Sequence, residues 1–371
     1  MERGAALLVN RRLRSYLRRR GASSEEINRA EREGWLALLT FDRMLMPGRS
    51  RYTFPEAATK AGISLDLAHR VWRALGFPDP DEDAVVFSDR DAQAMADVVQ
   101  LPGDNLVPSG DGGGEFDELV QQVRVIGGSL AKIAEVQSDN VLRAVRGREA
   151  SGYSDEEIAE IVSRVDFHRV EGLLAYALRL QLRAAAWRRL ARGGSDDDAD
   201  RFSVGFVDLV GYTALSQELD ARELAALVER FEALAYDTVA QYGGRVVKTI
   251  GDEVMFVTGD PRAAARIALR LTERSSTDDL LPEARSGLGY GNVLVHEGDY
   301  YGPVVNLARR IVDLARPGTA LCSDSVHDAL EGDPGFTWRK LRTRRIRDFG
   351  SIALWQLQSV ADTSEIPVVS G

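Results

Sequence analysis

Apolar positions fall at helical spacing along the first half of the chain and gather into short β-like runs in the second. Residues 1–48 predict two helices. Ser23 followed by Glu26 has the spacing of a capping box and would open the second, which carries Ile27, Trp35, Leu36 and Leu39. The first is studded with Arg11, Arg12, Arg14, Arg18, Arg19 and Arg20, read as a solvated or salt-bridging face in preference to a contact with acidic lipid or nucleic acid. Over residues 53–76, Thr53 and Ser64 would cap two short helices that turn at Gly62, a layout similar to a helix-turn-helix. Leu65, Ala68, Val71, Trp72 and Leu75 would be its core, and His69, Arg70 and Arg73 would meet phosphates if DNA were bound. A structural helix pair is the preferred reading. A helix over 88–99 and helical structure over 116–147 follow, with a turn-rich, flexible stretch at 102–115 between them. Its glycine run lacks the Gly-Lys-Ser/Thr ending of a phosphate loop. From Asp155 to Arg192 there is no proline and one glycine, Gly172, so the stretch predicts one long helix or two end to end, placed to transmit regulation. Residues 193–200 read as an acidic hinge.

The second half opens with the run Phe202-Ser-Val-Gly-Phe-Val207, which leads into Asp208-Leu-Val-Gly-Tyr-Thr213. An amphipathic helix from Asp220 to Gln241 follows. Val246 to Phe256 then reads as two strands joined tightly at Gly251-Asp252. This order can set Asp208 beside Asp252. Two carboxylates with no evident positive partner repel one another unless cations lie between them. Such a pair suits hard divalent ions that also take phosphate oxygens. Beyond it come a helix over 261–274, a strand near 285–295, a helix holding Asn306 and Arg310, and further short strands, in an order that predicts a ferredoxin-like α/β sandwich. Residues 359–371 read as a tail.

Composition narrows the class. The 371 residues suffice for two or three domains, and 44% hydrophobic content suffices for full cores. A net charge of -10 argues against a nucleic-acid-coating role. The single cysteine, Cys322, excludes an internal disulfide framework and fits a reducing compartment. No apolar run approaches the ~20 residues of a bilayer span, and no signal peptide is read. The expected location is the cytoplasm, with peripheral attachment to a membrane as an alternative.

The stretch from Arg201 to Leu357 resembles the catalytic domain of the class III nucleotidyl cyclases. Asp208 and Asp252 match the family's two metal aspartates. Asp299-Tyr-Tyr-Gly-Pro-Val-Val-Asn306-Leu-Ala-Arg-Arg310 matches its Asp-x-x-Gly-x-x-Val-Asn-x-Ala-x-Arg pattern. With Lys248, six functional positions of an adenylyl cyclase are present. The helical half resembles the regulatory domain of certain actinobacterial and mycobacterial cyclases, which responds to pH and has a fatty-acid pocket. The expected fold is therefore α+β: an all-helical regulatory domain over 1–192, the hinge, and a ferredoxin-like cyclase domain over 201–358.

The resemblance implies conversion of ATP to cyclic AMP and pyrophosphate with two Mg²⁺ or Mn²⁺ ions per site. Asp208, Asp252 and the Leu209 carbonyl would hold the metals. The turn Gly211-Tyr212-Thr213 would offer N–H groups to phosphates. Lysine supplies only donors and ionised aspartate only acceptors, so Lys248 and Asp299 would read adenine. Asn306 would orient the ribose, and Arg310 would stabilise charge on the α-phosphate. In the family the last two come from the opposite subunit, which implies a homodimer. Arg347 takes the register of a phosphate-contacting lysine, although Asp348 follows where glycine is common. Two rival readings are a DNA-binding regulator with an idle cyclase domain and a cyclase for guanine nucleotides. A diguanylate cyclase has a similar acidic hairpin but lacks the asparagine–arginine helix.

Overall fold

The computed structural model describes residues 2–100, 115–191 and 201–360, which divide into two compact units, 1–181 and 182–371. Of the flexible stretch expected at 102–115, the hinge at 193–200 and the tail at 359–371, residues 102–114, 193–200 and 361–371 lie outside the described residues, whereas Glu115 opens a helix and Ser359 ends a strand.

The first unit is helical: α1 (Glu2–Arg19), α2 (Ser24–Glu33), α3 (Leu36–Leu45), α4 (Phe54–Ala61), α5 (Leu65–Ala74), α6 (Asp89–Gln100), α7 (Glu115–Ala150), α8 (Asp155–Ser163) and the start of α9 (Phe167–Ala191). Capping boxes at Ser23, Thr53 and Ser154 open α2, α4 and α8. One expectation fails here. Trp35, Leu36 and Leu39 are not on the helix that Ser23 opens, because Gly34 ends it in the left-handed conformation, φ 73°. The new start at α3 is capped from far along the chain: Asp155 accepts from the backbone N–H of Leu36 at 2.6 Å and of Ala37 at 3.1 Å. Buried Leu13, Leu17, Ile27, Leu39, Ile158 and Val162 then join α1, α2, α3 and α8 in one core. A cleft of about 340 Å³ opens between α1 and α8, lined by Arg12, Ser15, Tyr16, Arg19, Glu160 and Arg164 among others.

The pair α4 and α5 forms as the caps predict, and Gly62 makes the turn at φ 74°. Its basic side chains are engaged with acids of the same unit. Arg73 Nε donates to Asp79 at 3.0 Å, His69 Nδ1 lies 3.0 Å from Asp79, and Arg70 pairs with Asp117. Between Asp155 and Ala191 the chain forms two helices. The first buries Ile158, Ala159 and Val162, whereas much of the apolar surface of the second is exposed.

The second unit holds a seven-stranded sheet. Its strands in chain order are β1 (Arg201–Leu209), β2 (Arg245–Ile250), β3 (Glu253–Thr258), β4 (Ala284–Asn292), β7 (Ala320–Ser323), β8 (Phe336–Lys340) and β11 (Leu354–Ser359). Two small hairpins stand apart, β5 (Leu294–His296) with β6 (Asp299–Tyr301), and β9 (Arg344–Ile346) with β10 (Gly350–Ile352). The helices are α10 (Tyr212–Glu218), α11 (Ala221–Gln241), α12 (Pro261–Ser276), α13 (Pro303–Leu314) and α14 (Asp324–Ala329). The sheet order is β2-β3-β1-β4-β7-β11-β8. Its first four strands, with α11 and α12 as crossovers, make the ferredoxin-like core, and three more strands extend it.

Alternation along β1 divides its side chains between two layers. Val207 and Leu209 pack with Leu227, Phe231 and Leu271 of α11 and α12. Phe202, Val204 and Phe206 pack with Val305, Ala308 and Val312 of α13. That helix lies very close to β4: a methyl group added at Gly287 would fall 2.3 Å from the Val312 nitrogen and 2.6 Å from the Ala308 oxygen. Gly287 therefore admits α13 to the sheet, and α13 carries Asn306 and Arg310.

Candidate active site

Asp208 lies on the α13 face because it follows Phe206 by two positions. In register, Asp208 stands between Glu253 of β3 and Arg285 of β4, so all three side chains share one face at one end of the sheet. The β2–β3 link is the two residues Gly251 and Asp252. Only Gly251 has positive φ, 62°, the sign pattern of a type II′ turn. The turn sets Asp252 against the end of β1, where its carbonyl accepts from the Leu209 N–H at 3.3 Å. The Asp252 carboxyl is held above the usual range, chiefly by burial and then by the nearby Asp208.

The expectation that this pair lacks a positive partner is wrong. Arg285 Nε and Nη2 both donate to Asp208 Oδ2, at 2.8 and 2.6 Å. Arg285 lies 77 residues away along the chain, and only the β1–β4 pairing brings it to Asp208. No local spacing could have found it. Glu253 was also missed. Its residue is 5% exposed, and burial pushes its carboxyl up to about 7. Arg309 Nε sits 2.6 Å from Glu253 Oε1, an ionic contact that is not aligned as a hydrogen bond.

Lys248 reaches its place through an irregularity. Val246 pairs with Phe256, but Lys248 pairs with Met255, so β2 bulges at Val247. Without the bulge Lys248 would oppose Val254, whose side chain belongs to the α11–α12 core. With it, Lys248 opposes Met255 on the α13 face. There its Nζ meets Asp299 Oδ2 at 2.5 Å, and Asp299 Oδ1 accepts from the Tyr300 N–H at 2.8 Å. The ring of Tyr300, edge-on to Phe202 at 4.9 Å, anchors β6 to the sheet. The two residues expected to read a base are thus already joined.

Asn306 and Arg310 are exposed on one face of α13, whose other face carries buried Val305, Ala308, Ile311 and Val312. They line a cleft of about 450 Å³ with Arg309, Asp313, Asp348 and Phe349. Among the described residues neither takes an ion pair or a side-chain hydrogen bond. Asp348 adopts φ 71°, the left-handed conformation where glycine is common and aspartate is tolerated. Arg347 has an 86% exposed side chain, 4.0 Å from Asp348, and does not line the cleft. At the phosphate turn, the Val210 N–H is committed to the Glu283 carbonyl at 2.9 Å. Gly211, at φ 81°, caps α10, so Gly211, Tyr212 and Thr213 remain to offer N–H groups.

The donor set bears on whether divalent cations fit. Among the described residues no three His, Cys, Asp or Glu side chains are grouped to hold an ion by themselves. Two carboxylates, Asp208 and Asp252, stand together with the Leu209 backbone. That oxygen set suits a hard cation whose other ligands are water and substrate phosphate. The fit is chemical and requires Asp208 to share its carboxylate with Arg285.

Comparison with known proteins places both halves. The adenylate cyclase regulatory domain family matches residues 4–185. The adenylate and guanylate cyclase catalytic domain family matches residues 195–359. An adenylate cyclase of Glutamicibacter nicotianae is 32% identical over 341 residues, covering 86% of this chain and 82% of that protein. A pH-sensitive adenylate cyclase of Mycobacterium tuberculosis is 31% identical over 368 residues, covering 96% and 89%. The crystal structure of an adenylyl cyclase from P. aeruginosa covers 43% of this chain and 94% of its own, at 23% identity and a TM-score of 0.39.

The chain belongs to the class III adenylate cyclases, with a helical regulatory domain ahead of the catalytic one. No helix among the described residues is long and apolar enough to cross a membrane.

Proposed function

We propose that this enzyme converts ATP to 3′,5′-cyclic AMP and pyrophosphate as a homodimer, each site being shared between two chains. The observation that carries the choice of ATP is the contact of Lys248 with Asp299, 2.5 Å apart although 51 residues separate them. Opened around a base, the pair offers a donor to adenine N1 and an acceptor to its exocyclic amine. Guanine reverses that pattern and would leave both groups unsatisfied.

The shared site is supported by an exposed asparagine and arginine that find no side-chain partner among the described residues, beside an open cleft. It is supported too by exposed apolar side chains along α7 and α9, among them Ile126, Leu130, Val136, Leu173, Tyr176 and Leu178. In the reaction the ribose 3′-oxygen forms a bond to the α-phosphorus while the bond to the bridging β-phosphate oxygen breaks. Asn306 orients the ribose, and Arg310 meets the charge that builds on the α-phosphate. Asp208, Asp252 and the Leu209 carbonyl would hold two Mg²⁺ or Mn²⁺ ions, which when bound neutralise the triphosphate and acidify the 3′-hydroxyl.

The test is complementation. Asp208→Ala and Asn306→Ala chains, each inactive alone, should form cyclic AMP when mixed, because one of the two mixed sites keeps every group. Heterodimers that assemble without activity would reject the shared site.

The helical half is proposed to restrain catalysis and to respond to acid or to a small ligand such as a fatty acid. Two groups support acid sensing. Glu156 on α8 is held above the ordinary glutamate range by burial and then by Glu31. His168 on α9 is exposed, with Nδ1 2.7 Å from Glu171. The cleft between α1 and α8 is where a small ligand would sit. DNA binding through residues 53–76 is disfavoured by the acids already paired with Arg70 and Arg73.

A further inference from the structure

In a dimer of this kind each chain supplies a carboxylate half to one site and an amide–guanidinium half to the other. We propose that Glu253 and Arg309 tie those two halves together inside each chain, so that the carboxylate end of one active site helps to set the geometry of the other. The inference rests on the shared-site reading.

Glu253 follows Asp252 directly and stands opposite Asp208 in the β1–β3 register. Its side chain is 6% exposed, and its ionic partner is Arg309 at 2.6 Å. Arg309 precedes Arg310 on α13, lines the same cleft as Asn306 and Arg310, and holds Asp313 at 2.9 Å through Nη1. A second thread runs parallel. Arg285, clamped to Asp208, donates through Nη1 to the Asp313 carbonyl at 3.3 Å. Both threads therefore start at the carboxylate end of the sheet and converge on Asp313 of α13.

The physical argument is one of constraint. A buried carboxylate fixes the position of its cationic partner, since separating them leaves a desolvated charge without compensation. Helix α13 cannot absorb the displacement by moving closer to the sheet, because it already touches the backbone of β4 at Gly287, and moving away would expose the buried Val305, Ala308 and Val312. A change at Glu253 is thus passed along a rigid element to Asn306 and Arg310. Arg309 is a positioning residue; it acts on the nucleotide through its neighbours.

The experiment uses full-length heterodimers purified through two different tags. One chain carries Asn306→Ala and the other Asp252→Ala, which disables its carboxylate half and leaves the Asp208–Arg285 contact in place. The live site then takes Asp208 and Asp252 from the first and Asn306 and Arg310 from the second. Glu253→Gln is introduced in the second chain only, where Glu253 lies in the dead site. The expected result is a fall of about tenfold in kcat at the live site, while KM for ATP moves by less than about twofold. Arg309→Gln in the same chain should give the same fall, and the two together no more than either alone. Arg309→Lys should recover part of the loss.

An unchanged kcat with Glu253→Gln in the dead site, or losses that add, overturns the link. If the Glu253→Gln chain fails to assemble, the Arg309→Gln chain, altered at a partly exposed position, carries the same test. A starting heterodimer with no activity rejects the shared site instead, and the link falls with it.

Discussion

Replacing Glu253 by glutamine should change how the stability of the catalytic domain depends on pH. Burial raises the Glu253 carboxyl from an ordinary value of 4.5 to about 7. At about 1.4 kcal/mol per pH unit, that difference corresponds to about 3 kcal/mol. The sign follows from where the proton is held. Below about pH 4.5 the side chain is protonated in folded and unfolded chains alike, and its contribution is fully present. Between about 4.5 and 7 only the folded chain keeps the proton, so stability is lost progressively as pH rises. Above about 7 the loss is complete. The substituted glutamine is a neutral isostere with nothing to ionise, and Arg309 would keep Asp313 as a partner. Glu253→Gln should therefore match the parent at about pH 4.5 and exceed it by about 3 kcal/mol at about pH 8. The assay is scanning calorimetry of the full chain with chelator present, so that no cation binds the adjacent Asp252. The transition to follow is the one that the substitution moves. Parallel pH profiles for the two proteins, or a gap that closes towards high pH, would refute the burial argument.

Two further outcomes are expected. Lys248→Glu combined with Asp299→Cys should move preference from ATP towards GTP, measured as the ratio of the two kcat/KM values. An unchanged ratio would count against base reading by this pair. Removing residues 1–193 should alter the rate of cyclic AMP formation, with different effects at about pH 5.5 and about pH 7.5 and in the presence of a long-chain fatty acid. Equal rates for the full and shortened chains under all of these conditions would reject restraint by the helical half.

Much of this molecule is local and could be read from neighbouring residues. The caps at Ser23, Thr53 and Ser64, the turn at Gly62, the Gly251-Asp252 hairpin and the helix carrying Asn306 and Arg310 each follow from a few adjacent side chains. Turn and cap chemistry is settled within four or five positions. The second start at Leu36 was not legible, because its cap is Asp155, more than a hundred residues away.

In the active site the division is the same. The residues alone pointed to the pair Asp208 and Asp252, and the resemblance to the class III cyclases added Lys248, Asp299, Asn306 and Arg310. Their surroundings came only with the folded sheet. Strand order laid Arg285 across Asp208 and placed Glu253 beside both, and a single bulged residue at Val247 turned Lys248 from the α11–α12 core towards Asp299. Side chains alternate faces along a strand, so one inserted residue reverses which face each later side chain takes. Neither that insertion nor the identity of a cross-strand neighbour is encoded by the residues next to it. Both are settled when distant segments pair.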